Sequence, residues 1–227
     1  MRLAPRSEEG MPLSSPRRYL TLASAATAEL EVKRSRFVCD VAPVSSEEAA
    51  RAFVQQVRAA SRDARHHCTA FVLGADGATE RSNDDGEPSG TAGAPMLDVL
   101  RGRDLTDVVA VVTRWFGGTL LGTGGLIRAY GDAVSTALDG ATVLAHELRA
   151  GLVVTVGTAD RPRVENALRG LPRCAVTSTT WAATGLVLEL AVEPGTQESV
   201  RSLVGSLTSG AGSVAAGRDS WVAVPTD

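Results

Sequence analysis

Lysine is almost missing from this sequence of 227 residues: Lys33 is the only one, and arginine carries nearly all the positive charge. Any basic excess is missing too. The chain sets 23 Lys and Arg against 26 Asp and Glu, a formal net charge of −3. That excludes a non-specific grip on many phosphates, which needs surplus cations. Cysteine is scarce as well. Cys39, Cys68 and Cys174 lie far apart, and none belongs to a Cys-x-x-Cys pair. This excludes a disulfide framework and the common zinc ribbons, and leaves buried free thiols. No apolar run approaches the roughly 20 residues that span a bilayer, so no membrane association is expected. Met1 to Arg18 holds four arginines with no apolar segment behind them, which does not read as a secretory signal. With Pro5, Pro12, Pro16 and several serines, residues 1–18 read as a disordered tail or an upstream start. A cytoplasmic location is expected.

What is present reads as two α+β domains, residues 19–145 and 146–227. The first holds 12 basic and 16 acidic residues, the second 7 and 8. In the first, Glu29 to Val44 reads as extended, with Phe37, Cys39 and Val41 alternating against polar neighbours. Ser45 and Glu48 match a capping box, opening a helix with Ala49, Phe53, Val57 and Ala60 on one face. Cys68 to Leu73 reads as a short strand closed by an Asp76-Gly77 turn. Arg81 to Gly93 is too rich in glycine, proline and Asx residues for a strand or helix, and reads as a structured loop. A helix is expected from Pro95. Asp107 to Thr113 is the apolar, β-branched run of a strand buried on both faces. A second glycine loop, Gly117 to Gly125, then leads into a helix from Leu126 to Leu138.

After Gly140 to Leu148 the pattern changes. Strands are expected at Gly151 to Val156, Cys174 to Thr180, Gly185 to Val192 and Ser213 to Val224, with helices at Arg161 to Leu171 and Thr196 to Leu207. The order β-α-β-β-α-β belongs to a compact two-layer domain.

Two loops carry the candidate chemistry. Asp84, Asp85, Gly86 and Glu87 place three carboxylates on a glycine turn, oxygen ligands of the kind Mg²⁺ takes, although no calcium-loop pattern is present. The competing reading is that Asn83 and Asp84 satisfy backbone donors in a tight turn while Asp85 pairs with an arginine. Gly122, Gly124 and Gly125 end the second loop at a helix N-terminus, where free N–H groups favour an anion, with Arg114 and Arg128 as charged partners. The bland alternative is close backbone packing or positive φ at these glycines and at Gly117 and Gly118. No P-loop, nucleophile elbow or zinc-hydrolase pattern is present. His66 and His67 point to opposite faces if they begin a strand, so at most one faces a cleft; Cys68 beside them is a candidate nucleophile, against the bland reading of a structural Cys and His. Trp115 and Phe116 read as core packing at a strand end, or as an aromatic pair for stacking.

Five motifs in this order resemble the YigZ/IMPACT family. They are Lys33-Arg34-Ser35-Arg36-Phe37, Ala64 to Phe71, Ser82 to Gly93, Arg114-Trp115-Phe116-Gly117-Gly118, and Leu121 to Gly131, together covering about 110 residues. The resemblance implies an N-terminal domain folded like the second domain of ribosomal small-subunit protein five. It implies a C-terminal ferredoxin-like domain similar to one in elongation factor G. Thr158-Ala159-Asp160 departs from the family, which often carries an aromatic there. Eukaryotic members restrain a starvation-sensing kinase with the help of an extra N-terminal domain; this chain starts almost directly at the shared core. The expectation that carries over is a cytoplasmic, non-enzymatic binding protein linked to translation, with ribosome, RNA or a translation-associated protein as partner. No cofactor is expected. The alternative is a Mg²⁺-dependent phosphate hydrolase with Asp84, Asp85 and Glu87 on the metal. The oligomeric state is not legible.

Overall fold

The structure, a computed structural model, describes residues 16–182 and 185–226. The stretch read as a tail therefore falls mostly outside the described residues, and Arg18 already opens a strand. The chain divides into two compact units. One comprises residues up to Tyr19 with Ser24–Ala141, the other Leu20–Ala23 with Thr142–Asp227. The strand β1 (Arg18–Leu22) joins the sheet of the second unit.

In the first unit β2 (Ala26–Val32) and β3 (Ser35–Pro43) form a hairpin. Lys33 and Arg34 make its turn with positive φ at both positions, the geometry that matches strand twist. Helix α1 (Glu47–Ala60) follows. Its cap is Ser46 rather than Ser45, accepting from the N–H of Ala49 at 3.2 Å. β3 ends at Pro43, and the Val44 N–H still donates to the Asp107 carbonyl, so the extended backbone reaches Val44 as its sequence pattern predicts and the helix starts one residue later. Ala50 and Val57 are the buried positions of α1, whereas Ala60 is exposed.

Strands β4 (His66–Leu73) and β5 (Thr79–Asn83) come next, then α2 (Gly93–Gly102), β6 (Val108–Trp115) and α3 (Thr123–Asp139). The sheet order is β2-β3-β6-β4-β5, antiparallel throughout. On one face Phe71, Val109 and Val111 pack with Ala50 and Val57 of α1. The register puts Phe37, Val112 and Cys68 on the other face, where Phe37 meets Tyr130 of α3 edge to face. Val108 to Val112 are fully buried, as the β-branched run demands. Each such valine contributes on the order of 1.5–3 kcal/mol relative to exposure.

Three boundaries differ from the sequence pattern. Arg81 to Asn83 belong to β5 instead of the loop, since cross-strand pairing with β4 outweighs poor intrinsic propensity. Helix α3 starts at Thr123, taking Gly124 and Gly125 into its first turn, where packing of Leu126 and Tyr130 holds a glycine-rich start. Asp107 stands outside β6 with φ 51°.

The second unit runs β7 (Val143–Gly157), α4 (Arg161–Arg169), β8 (Cys174–Ala182), β9 (Gly185–Val192), α5 (Gln197–Leu207), β10 (Ser213–Ala216) and β11 (Ser220–Pro225). Strand β7 pairs with β9 on one side and with β10 on the other, and β8 closes the far edge. This is the expected ferredoxin-like β-α-β-β-α-β arrangement. Leu152, Val154, Val156, Leu186, Leu188 and Leu190 alternate inward onto Val164, Leu168, Val200 and Val204 of the helices. Two details differ. β7 starts eight residues before Gly151, and the last strand is broken at residues 217–219. At the break Gly217 N–H donates to the Gly151 carbonyl, and Gly151 N–H to the Asp219 carboxylate. A Cβ on Gly151 would lie 2.1 Å from the Arg218 oxygen, so only glycine fits there. Among the described residues no helix is long and apolar enough to cross a membrane.

Candidate functional site

The antiparallel pairing sends both loops out at one end of the first sheet. Arg114, near the end of β6, lies opposite Phe37 and His66, the starts of its neighbours, and β5 ends at Asn83 beside Thr69. The acidic loop and the glycine loop leave from there.

The carboxylates of the acidic loop turn in different directions, and each meets protein groups. Asn83 Oδ1 accepts from the Asp85 N–H at 2.7 Å, an Asx turn. Asp84 accepts from three backbone N–H groups: Ala92 at 3.0 Å, Gly93 at 2.8 Å and Gly90 at 2.8 Å. It thereby serves the N-terminus of α2, whose own cap residue, Ala92, has no side-chain bond to give. Burial alone would raise the Asp84 carboxyl, but these three donors outweigh it and hold it below the usual range. Asp85 faces α1, taking Arg58 at 2.5 Å and the His67 N–H at 2.7 Å. It adopts φ 43°, and Gly86 follows at 86°.

Glu87 turns the other way, under the sheet end. One of its oxygens accepts from Arg114 at 2.6 Å and from the Tyr130 hydroxyl at 2.7 Å. The side chains of Glu87 and Arg114 are only 4% and 7% exposed, so this ion pair ties the acidic loop to β6 and α3 in a dry setting. Tyr130 is raised far above its ordinary range, first by burial and then by its carboxylate and thiol neighbours. Arg114 also stacks between Phe37 and Phe116, at 5.4 and 5.8 Å, while its Nε has no partner.

His67 is buried on the α1 face with Nε2 3.1 Å from the Ser61 carbonyl. Burial, more than any other influence, lowers its pKa. His66 lies on the opposite face with Nδ1 2.9 Å from the Asp85 carbonyl. Cys68 donates to the Asp84 carbonyl at 3.0 Å, and burial pushes its thiol up to about 12, the reverse of an activated nucleophile.

In the second loop Gly117 passes so close to the β2–β3 turn that a Cβ would sit 2.0 Å from the Arg34 carbonyl carbon. Its N–H donates to Ser35 Oγ at 3.1 Å. Gly118 and Gly122 have positive φ, whereas Gly124 has open space around it. The first turn of α3 has no acidic residue and no side-chain cap, so its leading N–H groups face outward. Trp115 donates to Asp63 at 2.8 Å and lies under Arg36 at 4.7 Å, which leaves it half-buried. Phe116 is not core: it is 46% exposed, and Leu120 and Ile127 beside it are 83% and 42% exposed. Helical spacing with Tyr130, Val134 and Leu138 predicts Ile127, which falls within the motif Leu121 to Gly131, to face inward. Those three are buried, but Ile127 is exposed one turn from the helix start, and Leu120 carried no motif signal of its own. Arg128 is exposed at the same helix start, and Arg34 reaches Thr119 at 3.1 Å.

The structure thus brings Glu87, Arg114 and Phe116 together and separates Asp84 and Asp85 onto different elements. Among the described residues no group of three or more His, Cys, Asp and Glu is placed to hold a metal ion. What this end of the sheet presents is an apolar surface with outward backbone donors and arginines.

The model of the Impact N-terminal domain matches residues 33–138. The IMPACT family member YvyE of Bacillus subtilis is 44% identical over 151 residues, 66% of this chain and 70% of its own. The IMPACT family member YigZ of Escherichia coli is 50% identical over 122 residues, 53% of this chain and 60% of its own. A crystal structure of a hypothetical protein superposes with a TM-score of 0.65 at 34% identity, covering 89% of this chain and 98% of that one.

Proposed function

The chain belongs to the IMPACT family, and from that premise we propose a non-enzymatic regulatory protein of translation that works in the cytoplasm by binding a translation-associated protein. The observation that carries the reading is the exposed apolar trio Phe116, Leu120 and Ile127 around the glycine loop. Apolar side chains held out on a loop whose base is locked are what a protein partner covers. Arg34, Arg128 and the outward N–H groups of α3 supply a polar rim suited to a carboxylate. What favours binding over metal-assisted phosphate hydrolysis is the use of the acidic loop. Asp84 serves three backbone donors, Asp85 serves Arg58 and the His67 N–H, and Glu87 serves Arg114 and Tyr130, so the three carboxylates are engaged by different elements instead of converging on one ion.

Co-sedimentation of the purified chain with ribosomes and their associated factors, across a salt series, tests the proposal. The expected result is association that persists as salt rises, because apolar burial outweighs counterion release, and that Leu120→Asp abolishes. No association at low salt removes the proposal. Association with naked RNA alone replaces the protein partner by nucleic acid, and Mg²⁺-dependent turnover on a phosphoester panel restores the hydrolase reading.

A further inference from the structure

On the opposite face of the first sheet, α1 covers the inner strands and leaves β5 bare. Between them runs a groove of about 460 Å³, within the range of ligand sites. Its wall is Arg51 and Arg58 of α1, and its floor is Thr69 and Phe71 of β4 with Arg81 and Asn83 of β5. Three arginines therefore line one channel. Arg51 pairs with Glu47 one turn earlier in α1, and Arg58 with Asp85. Arg81 is exposed and donates to the Glu80 carbonyl, with no carboxylate partner among the described contacts. Asp85, the one carboxylate in the lining, is already matched by Arg58 and the His67 N–H. Along the other side of the channel lies an open sheet edge. β5 is the terminal strand and, among the described residues, pairs with β4 alone. Such an edge offers main-chain donors and acceptors to an added strand.

We propose that this groove docks an extended, acidic segment of a partner protein, which pairs along β5 as a sixth strand and sets its carboxylates on Arg51, Arg58 and Arg81. The proposal rests on the reading of the chain as a protein-binding regulator and gives it a second, chemically different surface. A peptide fits better than a nucleic acid for two reasons. The only aromatic in the groove, Phe71, is 7% exposed, so bases have no platform on which to stack. Residues 19–145 also carry 12 basic against 16 acidic residues. A long polyanion feels that whole field, whereas a short segment meets only the local arginines. Five strand residues span about 17 Å, enough for alternate side chains of a short peptide to face α1.

The test uses the full chain and three fluorescein-labelled decapeptides in anisotropy titrations at low salt. One alternates Glu and Val, one alternates Gln and Val, and one is the Glu peptide with alternate backbone N–H groups methylated. Saturable binding is expected for the first. At least tenfold weaker binding is expected for the other two, and for the first against Arg81→Glu or Arg51→Glu. Both are exposed side chains, and thermal melts identify any variant that fails to fold; Arg81→Gln then stands in. Leu120→Asp is expected to bind the peptide normally, so failure here and failure of the loop surface in ribosome co-sedimentation are read separately. No saturable binding overturns the proposal, as does equal binding of the methylated peptide. It is also overturned if a fluorescein-labelled decamer of uridine binds more tightly and loses affinity in the same variants. A concentration-dependent dimer broken by Arg81→Glu would give the edge to a second copy of the chain and likewise overturn it.

Discussion

Replacing Glu87 by Gln keeps the shape of the side chain and removes its charge, leaving Arg114 as a cation 7% exposed with no counterion. Breaking one side of a buried pair costs about 3–5 kcal/mol. The Gln carbonyl can still accept from Tyr130, so the expected loss lies near the lower figure, about 3 kcal/mol. For a unit of this size that lowers Tm by on the order of 10 °C. Trp115 sits in the first unit, while Trp181 and Trp221 sit in the second. Urea titration followed by tryptophan fluorescence in a Trp181→Phe, Trp221→Phe background therefore reads the first unit by itself. Tyr130→Phe is expected to cost about 1 kcal/mol, the value of one hydroxyl hydrogen bond. The double variant Glu87→Leu with Arg114→Met should recover most of the loss, because an apolar pair of similar volume has no charge to desolvate. If Glu87→Gln costs under about 0.5 kcal/mol, or the double variant is no better than the sum of its single changes, the buried clamp is not what fixes the acidic loop.

Other perturbations reach different parts of the same end. Asp84→Asn offers N–H where Asp84 accepted it and should cost about 2 kcal/mol. Because the Asp84 carboxyl is depressed in the folded chain, its contribution is complete above its unfolded pKa and is lost as pH falls below about 4, so the variant should flatten that arm of the acid-stability curve. His67 is also depressed: it favours the folded state fully above about pH 6.5 and loses that contribution as pH falls towards its folded pKa, a slope that His67→Gln should remove. Gly117→Ala drives a methyl into the Arg34 and Ser35 backbone and should cost more than about 2 kcal/mol in the same urea assay. Cys68 and Cys39, buried and with thiols pushed up by burial, should resist iodoacetamide at pH 8 until urea unfolds the first unit, as read by mass spectrometry.

The repetitive part of this fold is legible in the sequence. The run Val108 to Val112, the alternation of Phe37, Cys39 and Val41, and the β-α-β-β-α-β order of the second unit each arise from a local periodicity that packing then confirms. What is not legible depends on partners distant in sequence. Arg81 to Asn83 look like loop until β4 is beside them, and the break at residues 217–219 needs Gly151 across the sheet. The acidic loop shows the same limit. Three clustered carboxylates suggest a shared ligand, yet one backbone sends Asp84 to α2, Asp85 to α1 and Glu87 to β6. Composition names the donors and acceptors, but only the left-handed turn at Asp85 and Gly86 decides which way each one points. Phe116 shows the converse, since an aromatic beside a buried strand reads as core, yet it lies exposed against the Arg114 guanidinium.

Asp84 reaches α2 from eight and nine residues upstream, and this has a kinetic consequence. A helix that carries its own cap can begin to form as soon as its first turn is made. α2 has Ala92 in that place, so its first turn is complete only when β5 has paired and the loop has closed over it. The start of α2 should therefore assemble after the β4–β5 pairing, with low φ-values for substitutions at Asp84 and higher ones within the strands. In the folded chain the amides of Ala92 and Gly93 become reporters of loop opening, exchanging with solvent each time the Asp84 carboxylate lets go.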